Sequence, residues 1–155
     1  MSGKLEVSFN SPQCGWMSIG FEDETAEFHT TTAHAPHSTA LSELLKTLVH
    51  LVTKDSYENV LKWNRNPEEF DFVFRRNGEN ASIEIIEYPT EQREAGMRET
   101  VYFYEGDAKQ IAEAFCETFE QLYQERNIDE FEDNWHQQFP IGEFLHLKET
   151  LKQDG

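Results

Sequence analysis

Apolar and polar positions alternate along residues 70–88, from Phe70-Asp71-Phe72-Val73-Phe74, through Asn77-Gly78, to Ala81-Ser82-Ile83-Glu84-Ile85. A period of two on both sides of an Asn-Gly pair predicts a β-hairpin closed by a two-residue loop. With Asn77 and Gly78 as that loop, Phe74 faces Ala81, Phe72 faces Ile83 and Phe70 faces Ile85, so one side of the ribbon is all hydrocarbon. The same register sets Asp71 across from Glu84 on the other side.

The flanking chain shows both the strand period and the helix period. Leu5, Val7 and Phe9 alternate as far as Ser11-Pro12; Met17, Ile19 and Phe21 alternate up to a turn at Asp23-Glu24, and Ala26, Phe28 and Thr30 return from it. After His34-Ala35-Pro36-His37, Ser38 or Thr39 can cap a helix over residues 39–53, where Leu41, Leu44, Leu45, Leu48, Leu51 and Val52 recur at helical spacing. A strand from about 59 to 64 carries Leu61 and Trp63, and Asn66-Pro67 turns the chain into the hairpin. Residues 89–98 are a charged, Gly-containing connection, long for a hairpin and therefore expected to be mobile. Thr100 to Glu105 forms a further strand, with Val101 and Phe103 opposed to Tyr102 and Tyr104.

Asp107 begins the clearest helix, over 108–126. Its carboxylate is placed to accept from the Gln110 N–H and to complement the helix dipole, and Ile111, Ala112, Phe115, Phe119 and Leu122 share one face. Asn127 is placed to end the helix in a left-handed conformation. Asp129, with Glu132 three residues later, is expected to cap a short helix bearing Phe131 and Trp135; Ile141, Phe144, Leu145, Lys148 and Leu151 mark a last one. Strands first and helices last predict an α+β domain spanning 1–155. Its sheet is mainly antiparallel, of about six to seven strands, with helices packed on one face and the long helix over Phe70, Phe72 and Phe74.

Composition narrows the function. The 155 residues suffice for one core that buries roughly 70% of the unfolded surface. Hydrophobic residues make up only 37%, but 12 phenylalanines help bring aromatics to 13%, and large rings can build a core where aliphatics are few. A net charge of −17 repels phosphate backbones and anionic lipid surfaces, which argues against nucleic-acid and membrane binding and suits a basic protein partner or simply a well-solvated surface. No apolar run approaches the length of a membrane span, and Met1-Ser-Gly-Lys-Leu-Glu-Val lacks a secretory core. Cys14 and Cys116 are far apart without metal-ligand spacing, so a cytoplasmic protein with reduced thiols is expected.

Candidate chemistry is sparse. No phosphate loop, Gly-x-Ser-x-Gly elbow, Cys-x-x-Cys or His-Glu-x-x-His occurs, and no catalytic residue, cofactor or metal ligand is assigned. His29, His34 and His37 are read as loop histidines rather than a zinc set, because they straddle a strand end and a Pro loop. The Asp71–Glu84 pair is read as a solvated pair compensated by Arg75 or Lys62 rather than as two catalytic carboxylates. The side of the sheet away from the phenylalanines carries more information. There Val60, Val73, Ile86, Tyr88, Tyr102 and Tyr104 are expected among Lys62, Arg75 and Glu84, whereas a sheet face meeting only water is mostly polar. Val73, Arg75, Ile86, Tyr88, Tyr102 and Tyr104 are therefore the candidate partner-binding residues, for another protein or a second copy of the chain as a homodimer. The competing reading is that the N-terminal strands or the 89–98 segment cover this face.

The segments Trp63…Asn66-Pro67-Glu68-Glu69-Phe70 and Trp135-His136-Gln137-Gln138-Phe139-Pro140 resemble small, acidic, uncharacterised bacterial α+β proteins, some of them of the immunity type encoded beside toxins. The resemblance covers the C-terminal two-thirds and implies binding without catalysis. A non-catalytic interaction protein, of the kind that inhibits a basic partner by binding it, is the first reading; a small ligand-binding domain or enzyme with a pocket between sheet and helices is the second.

Overall fold

The computed structural model describes residues 4–65 and 67–154. In chain order these form β1 (Glu6–Phe9), β2 (Trp16–Glu22), β3 (Glu27–Ala33), α1 (Ala40–Thr53), β4 (Ser56–Asn64), β5 (Glu69–Asn77) and β6 (Asn80–Tyr88). A 3-10 turn at Ala95–Met97 leads to β7 (Glu99–Gly106), α2 (Ala108–Glu125), α3 (Phe131–Trp135) and α4 (Ile141–Asp154). The class is α+β and both ladders are antiparallel, but the expected single sheet is two: β1-β2-β3 and β4-β5-β6-β7. The chain passes from β3 to β4 through α1, and side chains join the two sheets instead. The Trp63 indole donates to the Ala33 carbonyl at 3.0 Å, and Arg65 donates to the Thr30 hydroxyl at 3.3 Å.

The central hairpin keeps its predicted faces but not its predicted partners. Its loop is Gly78-Glu79, flanked by the Asn77–Asn80 pair, so Phe74 faces Ile83, Phe72 faces Ile85 and Phe70 faces Glu87. Gly78 takes φ 64° at the first loop position, a conformation that glycine adopts without a Cβ penalty. Moving the loop by one residue slides each pairing by two. An even slide leaves every side chain on its face, and Phe70, Phe72, Phe74, Ile83 and Ile85 are all fully buried. Asp71 consequently pairs with Ile86, and Glu84 with Val73; the expected Asp71–Glu84 opposition does not exist.

One buried cluster takes side chains from both sheets and all four helices. Phe72 lies 6.0 Å from both Phe21 of the first sheet and Trp63, and Phe115 of α2 lies 6.0 Å from Phe74 and 5.9 Å from Phe21. Each ring removed from water contributes about 1.5–3 kcal/mol, with edge-to-face packing adding about 0.5–1.5 kcal/mol per pair. The α2 helix also lies along β1: Thr118 Oγ1 accepts from the Phe9 N–H at 2.7 Å and donates to the Phe9 carbonyl at 3.3 Å. A helix side chain thereby supplies the hydrogen bonds that a neighbouring strand would otherwise make.

The α1 and α2 helices appear where the apolar spacing places them, and Asp107 accepts from the Gln110 N–H at 3.1 Å as expected. Other end signals fail. Thr39 makes no side-chain cap and donates instead to Glu43 at 2.9 Å. The α2 helix ends on Arg126 in a right-handed conformation, and the left-handed residue before α3 is Glu130, not Asn127. Asp129 does not cap α3; it accepts from the Ser11 hydroxyl at 2.5 Å, tying the start of α3 to the N-terminal segment. Asn66 of the expected turn lies outside the described residues, as do Met1, Ser2 and Gly3 of the N-terminal segment. Across that turn the Arg65 N–H donates to the Glu68 carbonyl at 2.9 Å.

Candidate functional site

Facing away from the core, the four-stranded sheet carries a grid of side chains fixed by its register. One row runs Val60–Val73–Glu84–Phe103, the next Lys62–Asp71–Ile86–Thr100, and on the other side lies Glu58–Arg75–Ser82–Glu105. Val73, Ile86 and Tyr88 form a small buried cluster separate from the main core. In the row through Val73, Val60 is 47% and Phe103 50% exposed, so apolar surface continues to both edges of the sheet uncovered. Four of the expected partner-binding residues, Val73, Arg75, Ile86 and Tyr88, belong to this face or its apolar centre.

Tyr102 and Tyr104 do not. Both are buried in the main core, opposite Ile85 and Ile83. The cause is a bulge: between Ile85 and Ile86 the ladder steps by one residue on β6 and by two on β7, from Tyr102 to Thr100, leaving Val101 as the extra residue. In an unbroken strand Thr100 and Tyr102 share a face. Here they lie on opposite faces, and Phe103 is the aromatic that points outward. The Tyr102 ring lies 5.7 Å from Phe21, and its hydroxyl donates to Asp23 at 2.5 Å. Burial first, and the hydrogen bond to Asp23 second, raise the Tyr102 hydroxyl well above its usual range. For Asp23, burial acts upward, but the Tyr102 hydroxyl and the Thr25 and Ala26 donors together hold the carboxyl below its usual value.

Three charged side chains of the outward grid, Arg75, Glu58 and Glu84, are paired with one another. Arg75 donates to Glu58 and to Glu84, each at 2.9 Å, and Thr100 donates to Glu84 at 2.7 Å. The Thr100 hydroxyl and then Arg75 outweigh partial burial and keep the Glu84 carboxyl below its ordinary range. The expected role of Arg75 as the compensating cation is realised, with Glu58 rather than Asp71 as the second acid.

At one end of the grid the row Asn64–Glu69–Tyr88 meets the 89–98 segment. Arg93 folds back onto it, donating to Glu69 at 2.8 Å, to Asp71, and to the Phe70 carbonyl at 3.2 Å, with its guanidinium 5.2 Å from the Tyr88 ring centre. Tyr88 donates to Asp71 at 3.0 Å, and His37 donates to Glu69 at the same distance. Glu69 is 4% exposed, an unusual burial for a carboxylate, which its cationic partner makes tenable. Neither Glu69 nor Arg93 stands out in the sequence. The register does contain the clue: once β6 ends on Tyr88 opposite Glu69, the following segment must emerge beside Glu69 and Asp71.

The three histidines go to separate places. His29 lies 3.5 Å from Glu27, His34 Nδ1 lies 3.2 Å from the Gly15 carbonyl with its ring against His136, and His37 meets Glu69. Among the described residues the one group of three potential ligands close together is Glu22, Glu27 and His29, all exposed. Cys14 is exposed at φ 52°, before Gly15. Burial is the main influence pushing the Cys116 thiol up, to about 11. The space between the four-stranded sheet and the helices is filled by the phenylalanine cluster, whereas a groove of about 1130 Å³ lies at the surface near Lys4, Glu105, Asp107, Glu113 and Glu117. Among the described residues no helix is long and apolar enough to cross a membrane. Neither a family model, nor a curated protein, nor a solved structure matches this chain.

Proposed function

We propose that this protein is a non-catalytic interaction domain that binds a basic protein partner through the outward face of its four-stranded sheet, as an inhibitor of the immunity type would. The observation that carries this reading is the pair of exposed apolar side chains, Val60 and Phe103, that flank the Val73/Ile86/Tyr88 cluster on the sheet face. In this reading the helices gather on the phenylalanine side, where Phe115 meets Phe74, and the other side is left for a partner. A net charge of −17 supplies a field that draws in a basic protein and orients it, while the apolar patch supplies contact area once it arrives.

Retention of proteins from a native lysate by the wild-type chain and by a Val60→Lys/Phe103→Lys variant tests the proposal. A basic protein held by the wild type at low salt, released as salt rises and not held by the variant, is the expected result. Equal retention by both chains overturns the role of this face, and retention of nothing overturns the function. If light scattering shows a doubled mass that the variant lacks, the occupant is a second copy and the basic-partner reading falls.

A further inference from the structure

The notch formed by Glu69, Asp71 and the Tyr88 ring has the chemistry of a guanidinium receptor. Two carboxylates accept from a planar fork of N–H donors, a backbone carbonyl takes another, and an aromatic face lies against the cation. The chain fills this receptor with its own Arg93. That residue belongs to an exposed segment rather than to a strand or helix, and it adopts φ 52°, a region that non-glycine residues seldom occupy. A second observation is independent of the segment. Asn64 lies in the same cross-strand row as Glu69 and Tyr88, is 4% exposed, and among the described residues its side-chain oxygen has no hydrogen-bond partner. A buried acceptor without a donor is uncommon, and here it sits beside a receptor for a donor-rich group.

We infer that this notch is a recognition site for an arginine side chain of a protein partner, and that Arg93 is its resident occupant, displaced when the partner docks. The inference rests on the proposed function and adds to it the residue class the partner must present. Displacement also changes the charge of the surface: with Arg93 withdrawn, Glu69 and Asp71 lose their guanidinium, and that end of the sheet face becomes more anionic toward the incoming chain. A receptor occupied by a competitor on its own chain binds outside ligands more weakly by the fraction of time it is open.

The experiment uses the full chain and a blocked tripeptide, acetyl-Gly-Arg-Gly-amide, with its neutral citrulline counterpart as control, followed by the amide resonances of residues 69–71 and 88. Arg93→Ala, which empties the notch, is expected to bind the arginine peptide saturably and at least about tenfold more tightly than the wild type, and to ignore the citrulline peptide. Adding Glu69→Gln to Arg93→Ala is expected to abolish that binding. Should Arg93→Ala not fold, Arg93→Gln removes the charge while keeping most of the side chain, and the same comparison applies. A folded variant that binds the arginine peptide no better than the wild type, or binds the citrulline peptide equally well, overturns the inference. Because no partner protein is present, failure here leaves the lysate experiment to decide the wider reading separately.

Discussion

The Tyr102 hydroxyl donates to the Asp23 carboxylate at 2.5 Å, which fastens β7 of the four-stranded sheet to the β2–β3 turn of the three-stranded one. The bond explains how an ionisable pair is accommodated at the seam between the sheets. Each group favours the protonation state that the other requires.

Stability should therefore decline at both extremes of pH. The Tyr102 pKa is raised in the folded chain, so its contribution is complete below the unfolded tyrosine value of about 10 and is lost as pH rises beyond it. The Asp23 pKa is lowered, so its contribution is complete above the unfolded aspartate value of about 3.9 and is lost as pH falls through the folded one. Tyr102→Phe is expected to cost about 1–2 kcal/mol at neutral pH and to flatten both limbs relative to wild type. Denaturant unfolding across the pH range checks this, the difference between the two proteins isolating the pair from other titrating groups.

Thr118 offers a test of the helix that flanks the first sheet. Thr118→Val keeps the shape but leaves the Phe9 N–H buried without its acceptor, at a cost of about 1–3 kcal/mol. Thr118→Ser should recover most of that loss. Hydrogen exchange at the Phe9 amide is the direct readout, fast in the valine variant and slow in the serine one.

Trp63 joins the two sheets through its indole N–H and packs 6.2 Å from Trp135 of α3. Trp63→Phe loses the hydrogen bond and leaves a partial cavity, and is expected to destabilise the fold by about 2 kcal/mol. A thermal melt that does not move would show that the sheets are held together without it.

Phe103→Lys should behave in the opposite way. The ring is half exposed on the outward face, so the substitution should change stability by no more than about 0.5 kcal/mol. Binding of the proposed partner should nevertheless fall sharply. Parallel melting and binding curves separate the two effects.

The two thiols should differ in reactivity. Cys14 is exposed, whereas Cys116 is partly buried and its thiol is pushed up to about 11. An aromatic disulfide reagent near pH 8 is expected to titrate one thiol quickly and the second only slowly, and Cys14→Ser should remove the fast phase.

Local signals carried much of this fold. The alternation around residues 70–88 determined which side chains face the main core, and the 3.6-residue period located α1 and α2, because both periods are set by backbone geometry alone. Long-range features were less legible. The Asn77-Gly78 pair identified a turn but not which two residues form its loop, so the pairing slid by two without disturbing the faces. The bulge at Val101 was beyond the alternation, which cannot register one surplus residue when its neighbours are tyrosines suited to either environment. That single residue removed Tyr102 and Tyr104 from the candidate face and substituted Phe103. The division into two sheets depended on contacts such as Trp63 with Ala33, whose partners are distant in the chain.

The pairing of one cation, Arg75, with two carboxylates, Glu58 and Glu84, has a consequence for how these molecules meet in solution. Two such polyanions repel each other, and the guanidinium set between these two carboxylates weakens that repulsion on one face. Encounters between neighbours are thus filtered by orientation before any contact is made, and a crowded solution of the protein can stay dispersed while one surface remains open to a visitor of the opposite sign.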